Sequence, residues 1–306
     1  MLETTLCSIT LKNPVIAASG TFGFGAEYGQ FFDVSRLGAI CTKGLTLHPR
    51  EGNPGLRVWE TPAGMMNSVG LQNPGIPVFL ERELPRMRTL GTAIIANVGG
   101  SDLEEYIEGV RLLSGAEGVD IIELNISCPN VHEGGMAFGI KSDVAASVVT
   151  AVRRVCSKPL MVKLSPNAED ITAMAIACEQ AGADAVSLVN AFKALAIDIH
   201  ARKPVFDNVT AGLSGPCIKP IALRMVWEVA RAVHIPVVGI GGIATWQDAL
   251  EFLMAGATAV QVGTATFVKP TAMLDIVDGL DRYCATEHLT NLSTVCNILG
   301  TEAPLP

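Results

Sequence analysis

The thiol of Cys128 lies in the stretch Asn125-Ile126-Ser127-Cys128-Pro129-Asn130, and the segment that follows carries Gly134, Gly135 and Gly139. A free cysteine met alone reads as a small core hydrophobe. The neighbours of this one argue for chemistry instead. The run before it, Val119-Asp120-Ile121-Ile122-Glu123-Leu124, has the length and apolar content of a strand buried in a parallel sheet. Pro129 stops that strand, and the glycines leave the next segment free to open and close. A thiol on such a loop, beside amides able to orient a planar substrate, can serve as a general base or a nucleophile.

Other apolar runs also end in groups suited to binding. Ser19 and Gly20 follow the first, Lys43 and Gly44 the second, and Asn97 falls near the end of the third. Asn125 ends the fourth, Lys163 the fifth and Asn190 the sixth. Gly241-Gly242 and Gly263-Thr264 follow the last two, and glycine-rich turns there hold phosphate through backbone N–H groups. Lys43 and Lys163 point to an anionic ligand, because lysine is rarely buried without a partner. Asn67, Asn97, Asn125 and Asn190 each offer a donor and an acceptor to the edge of a flat heterocycle. A phosphate cup, two lysines and a set of amides fit a phosphorylated, ring-bearing cofactor, FMN foremost, with Cys128 facing a substrate stacked on it. The histidines, 48, 132, 200, 234 and 288, show no ligand spacing, so no metal is expected.

The elements that must position these groups are eight short apolar runs, at 14–18, 39–43, 93–98, 119–125, 160–164, 185–189, 237–240 and 259–262. Helical patterns lie between them, at 143–155, 168–181, 220–233, 246–255 and 272–284. Pro220 and Asp248 suit first turns, and Gly182 and Gly256 suit the positions after last turns. Strand and helix in alternation predict an α/β protein, a (β/α)8 TIM barrel forming one domain over 1–306. An open doubly wound sheet would call for Gly-x-Gly-x-x-Gly after the first strand; the glycines at 20, 23 and 25 are spaced differently. Two insertions, 44–92 and 190–236, leave the carboxyl ends of strands, where barrel active sites are built. The stretch 286–306 has weak periodicity and predicts one short helix.

Composition narrows the partners. The chain has 306 residues, 49% hydrophobic and 17% charged, with a formal charge of −8. An acidic balance argues against nucleic acid, which needs a basic face. No basic n-region with an apolar core opens the sequence, and no apolar run approaches the roughly 18 residues of a membrane span, so a cytoplasmic protein is expected. The eight cysteines are scattered without a Cys-x-x-Cys pair, the pattern of reduced thiols.

At these residues the chain resembles class 1 dihydroorotate dehydrogenases, and subtype B in particular. The resemblance runs from Ala18-Ser19-Gly20-Thr21-Phe22-Gly23 to Gly263-Thr264. It is most specific at Asn67-Ser68-Val69-Gly70-Leu71, Asn125-Ile126-Ser127-Cys128-Pro129-Asn130 and Gly212-Leu213-Ser214-Gly215. It implies oxidation of dihydroorotate to orotate in pyrimidine synthesis, with Cys128 as the base and FMN as hydride acceptor. It further implies that Ser19, Lys43, Gly44, Asn97, Asn125, Lys163, Val189, Gly215, Gly241, Gly242, Gly263 and Thr264 hold FMN. Dihydroorotate would lie against Lys43, Asn67, Ser68, Val69, Gly70, Leu71, Asn125, Asn190 and Ala191. Where the family pattern has Asn-Thr after the sixth strand, this chain has Asn190-Ala191, which leaves another dihydropyrimidine as the alternative substrate. Subtype B implies NAD as final acceptor, reached through a partner subunit carrying FAD and a 2Fe-2S cluster in a heterotetramer of two plus two. A fumarate-dependent subtype A enzyme is the alternative electron route.

Overall fold

The computed structural model describes residues 1–126 and 139–299. Its centre is a closed barrel of eight parallel strands. They are β1 (Val15–Ala17), β2 (Ala39–Cys41), β3 (Ala93–Val98), β4 (Ile121–Asn125), β5 (Leu160–Lys163), β6 (Ala185–Leu188), β7 (Val237–Ile240) and β8 (Ala259–Val262). Each pairs with the next, and β8 closes on β1. These runs read as continuously apolar because both faces are covered, one by the barrel interior and the other by helices.

The interior follows from the two-residue period of a strand. Ile16, Ala39, Ile95, Ile121, Met161, Ala185, Val238 and Ala259 form one buried apolar plug. An antiparallel hairpin, Thr4–Leu6 with Ile9–Leu11, adds Leu6 and Leu11 to it and closes the amino-terminal end. Fully burying each large aliphatic side chain contributes about 1.5–3 kcal/mol. Two residues further along the strands the layer changes character, to Cys41, Asn97, Glu123, Lys163, Ser187 and Gln261, all buried. Beyond that layer the barrel opens into its mouth.

The expected helices form, as Ser142–Arg153, Ile171–Gln180, Lys219–Ala230, Trp246–Met254 and Ala272–Thr286. A further helix, Leu103–Ser114, is capped by Asp102, whose carboxylate accepts from Glu105 N–H at 2.9 Å. Pro220 falls in a first turn, Asp248 completes a capping box with Thr245, and Gly182 and Gly256 adopt φ of 101° and 112°. In the last stretch only a 3-10 turn, Leu292–Val295, is formed, and residues 300–306 lie outside the described part.

The two insertions pair with each other. Val58–Thr61 and Gly64–Asn67 from the first join Thr210–Ser214 and Phe192–Leu195 from the second in a four-stranded antiparallel sheet. The central pairing sets Asn67 against Gly212. Gly64 cannot carry a side chain there, since a Cβ would lie 2.4 Å from the Ser214 carbonyl oxygen. This sheet roofs one side of the barrel mouth.

Candidate active site

A cleft of about 980 Å³ opens at the carboxyl ends of the strands, a size within the range of small-molecule and cofactor sites. Every residue expected to bind cofactor or substrate lines it. Cys128, with Gly134 and Gly135, lies outside the described residues; Gly139, at the boundary, lines the cleft.

One end of the cleft is made of backbone. Gly241 and Gly242 follow β7 with φ of 135° and 72°, conformations that L side chains rarely adopt. A Cβ on Gly242 would meet the Gly215 carbonyl oxygen and the Lys219 nitrogen, both at 2.8 Å. Gly215, itself at φ 101°, packs against Gly64. Thr264 donates from Oγ1 to Ser214 Oγ at 2.8 Å, tying the turn after β8 to the roof sheet. A Cβ on Gly263 would meet only ordinary contacts, the nearest at 3.5 Å. Bare backbone at three turns around one end is the kind of cradle that a phosphate group requires.

The opposite side carries charge and amides. Lys43 is half-buried and makes no ion pair among the described residues, and burial pushes its ammonium below the ordinary lysine value. Lys163 is 6% exposed and lies in the field of Glu123. In an acidic chain this places positive charge in the cleft, which attracts anionic ligands. Asn190 donates to Asn125 Oδ1 at 3.4 Å and accepts from Ala191 N–H at 2.8 Å. Asn67 reaches the Gly212 carbonyl at 3.4 Å.

The segment Asn67-Ser68-Val69-Gly70-Leu71 is shaped from both insertions. Asn53 donates to Ser68 Oγ at 3.0 Å, and Asn208 donates to the same oxygen at 3.2 Å. Gly70 turns at φ 74° with Asn53 where a side chain would be, and Leu71 follows at φ 55°. The Ser68 N–H donates to the Arg57 carbonyl at 2.8 Å and the Val69 carbonyl accepts from Asn53 N–H at 3.0 Å, so the bend is pinned by the first insertion while its residues line the cleft.

Two buried groups were not singled out from sequence. Glu123 accepts from Asn97 Nδ2 at 2.5 Å and from Gln261 Nε2 at 2.6 Å. Burial alone would push its carboxyl up; the Lys163 ammonium and hydrogen bonds from Cys41, Ser187 and Gln261 outweigh that and hold it below the ordinary carboxylate range. The available signal was positional, since Glu123 falls two residues after the plug residue Ile121 and Gln261 two after Ala259. Arg50, Lys193 and Ser214 also line the cleft without having been expected there. Among the described residues no group of His, Cys, Asp and Glu is placed to hold a metal ion, and no helix is long and apolar enough to cross a membrane.

A (β/α)8 barrel with a backbone cradle, lysines and amides gathered at its carboxyl face is an enzyme scaffold of the kind that handles phosphorylated ligands. The family model for dihydroorotate dehydrogenase matches residues 1–283, and the chain belongs to that family, whose members are oxidoreductases. It is 57% identical over 301 residues to the "Dihydroorotate dehydrogenase B (NAD(+)), catalytic subunit" of Petrotoga mobilis, covering 98% of this chain and 100% of that one. Proteins with the same description from Thermoanaerobacter pseudethanolicus (52% over 300 residues, 98% of each chain) and Parabacteroides distasonis (53% over 283 residues, 92% and 93%) are similarly close.

Proposed function

We propose that this chain oxidises (S)-dihydroorotate to orotate in pyrimidine synthesis, holding FMN and using Cys128 as base. One observation carries the reading: all the described residues expected to bind cofactor or substrate, drawn from eight strand ends and two insertions, line a single cleft. The fit to FMN rests on the glycine cradle at one end and the lysines and amides at the other. Gly241, Gly242, Gly263 and Thr264 would take the phosphate, and Lys43, Asn97 and Lys163 the ring side. Bound FMN supplies a two-electron acceptor for the hydride leaving C6 of the substrate.

The chain's own residues do the rest. Asn67, Asn125 and Asn190, with the segment from Ser68 to Leu71, orient the flat substrate. Cys128, as thiolate, removes the proton from C5, beside the C4 carbonyl. Lys163 stabilises negative charge that builds up at the ring edge during transfer.

The relatives named as NAD(+)-linked catalytic subunits support a partner that carries electrons onward. That partner would hold FAD and a 2Fe-2S cluster, two copies with two of this chain, and NAD⁺ would be the final acceptor. The purified chain alone should be yellow and reduce an artificial dye with dihydroorotate, yet leave NAD⁺ untouched until the partner is added. A colourless protein that takes up no FMN overturns the flavin reading. NAD⁺ reduction by the single chain overturns the partner, and rapid turnover with fumarate favours the fumarate-dependent route.

A further inference from the structure

Beneath the cleft, one carboxylate holds an arrangement that the reaction above does not by itself explain. Glu123 is fully buried, and its oxygens accept from side chains on four other strands. Oε1 takes Ser187 Oγ at 2.8 Å and Gln261 Nε2 at 2.6 Å. Oε2 takes Asn97 Nδ2 at 2.5 Å and Cys41 Sγ at 3.1 Å. A carboxylate only accepts, so each amide must turn its NH₂ towards Glu123 and its oxygen away. Those two oxygens, Asn97 Oδ1 and Gln261 Oε1, are buried and have no hydrogen-bond partner among the described residues. Asn97 and Gln261 both line the cleft.

A buried acceptor without a donor is costly, and a pair of them held by one residue asks for a ligand that donates to both. Structural need alone does not account for the carboxylate. The layer directly below is an apolar plug, and a buried charge network is seldom more stable than apolar residues of the same volume. The charge is matched by Lys163, whose ammonium acts on Glu123 from the neighbouring strand β5.

We infer that Glu123 is a positioning residue that fixes the amides of Asn97 and Gln261, so that their oxygens accept from N–H and O–H donors of the bound flavin cofactor. The inference rests on the FMN reading above and extends it to Gln261 and Glu123. Neither residue needs to touch the substrate.

The variant Glu123→Gln keeps shape but places an amide where the carboxylate was. Because that amide both donates and accepts, Asn97 and Gln261 lose their enforced orientation. FMN affinity of the whole chain, followed by flavin fluorescence quenching, should fall about tenfold for two weakened hydrogen bonds. The midpoint potential of the bound flavin should move to more positive values, because a negative charge has left the neighbourhood of Lys163. Unchanged affinity overturns the inference, and so does lost affinity with an unchanged potential, which would mark Glu123 as structural support only. If Glu123→Gln does not fold, Gln261→Leu decides, since it leaves Glu123 and Lys163 in place. It should fold, melting somewhat lower than the wild type without cofactor because Glu123 loses one donor, and bind FMN several-fold more weakly; equal binding overturns the inference. A wild-type chain that binds no FMN would be a separate outcome, removing the flavin reading and this inference with it.

Discussion

Asn125 and Lys163 stand opposite each other in the parallel register of β4 and β5, so an amide and an ammonium leave adjacent strands on the same face of the sheet. Both line the cleft, and Glu123 lies two residues before Asn125 on the same strand. Asn125 and Lys163 thus reach the cleft, whereas Glu123 does not line it and meets Lys163 from below Asn125.

Lys163→Met should lower the rate of flavin reduction by dihydroorotate about 10²–10³-fold, the scale of losing one electrostatic stabiliser, and stopped-flow absorbance would show it. It should also expose a charge imbalance. Glu123 in the wild type has a folded pKa below its unfolded value of about 4.3, so its contribution to stability is present above that pH and is lost as pH falls. With the ammonium gone, the ionised carboxylate is left buried and uncompensated. The gap in melting temperature between variant and wild type should therefore widen as pH rises through the glutamate range. A gap that does not depend on pH would contradict the pairing.

Cys128→Ala should leave FMN bound while dihydroorotate oxidation drops about 10²–10⁴-fold, the usual cost of losing a general base. Cys128→Ser should keep some activity with its optimum at higher pH, because a hydroxyl is a weaker acid than a thiol of pKa about 8.5. Steady-state dye reduction across pH measures both, and wild-type turnover in the alanine variant would refute the assignment.

Two glycine substitutions should part company. Gly242→Ala forces a Cβ into contacts of 2.8 Å at φ 72°, so it should lower the melting temperature as well as FMN affinity. Gly263→Ala meets nothing nearer than 3.5 Å within the protein, so it should melt normally and still bind FMN less well. Normal FMN affinity in Gly263→Ala would move the phosphate away from that turn.

Ala191→Thr should tighten orotate binding at most about tenfold, the value of one restored hydrogen bond of about 0.5–1.5 kcal/mol. Ala191 lines the cleft next to Gly212, where a Cβ would approach its methyl group to 2.8 Å. Titration of the oxidised enzyme with orotate gives the number. Weaker binding, with good activity on another dihydropyrimidine, would favour that substrate.

The barrel was legible because strands covered on both faces leave plain apolar runs, and all eight were found close to their observed limits. The cleft residues were legible for a related reason: strand ends in this fold converge, so polar residues closing apolar runs meet without any knowledge of loops. The roof sheet was not. Its strands are short, Gly64 and Gly212 interrupt their pattern, and their partners are remote in the chain. Glu123 was hidden inside a run read as uniformly apolar, since only the inward or outward sense of each position separates it from Ile122 and Leu124. Cys128 lies outside the described residues.

The pairing of the two insertions also bears on how the protein is assembled. Asn67 and its acceptor Gly212 are 145 residues apart, and four barrel strands, β3 to β6, lie between them in the chain. Closing so long a loop has a high entropic cost unless the intervening strands are already in place. The roof is therefore expected to be completed late in folding, after those strands are ordered. A nascent chain that has not yet made residues 210–214 has no finished pocket, so competence to take up cofactor reports that most of the barrel has been built.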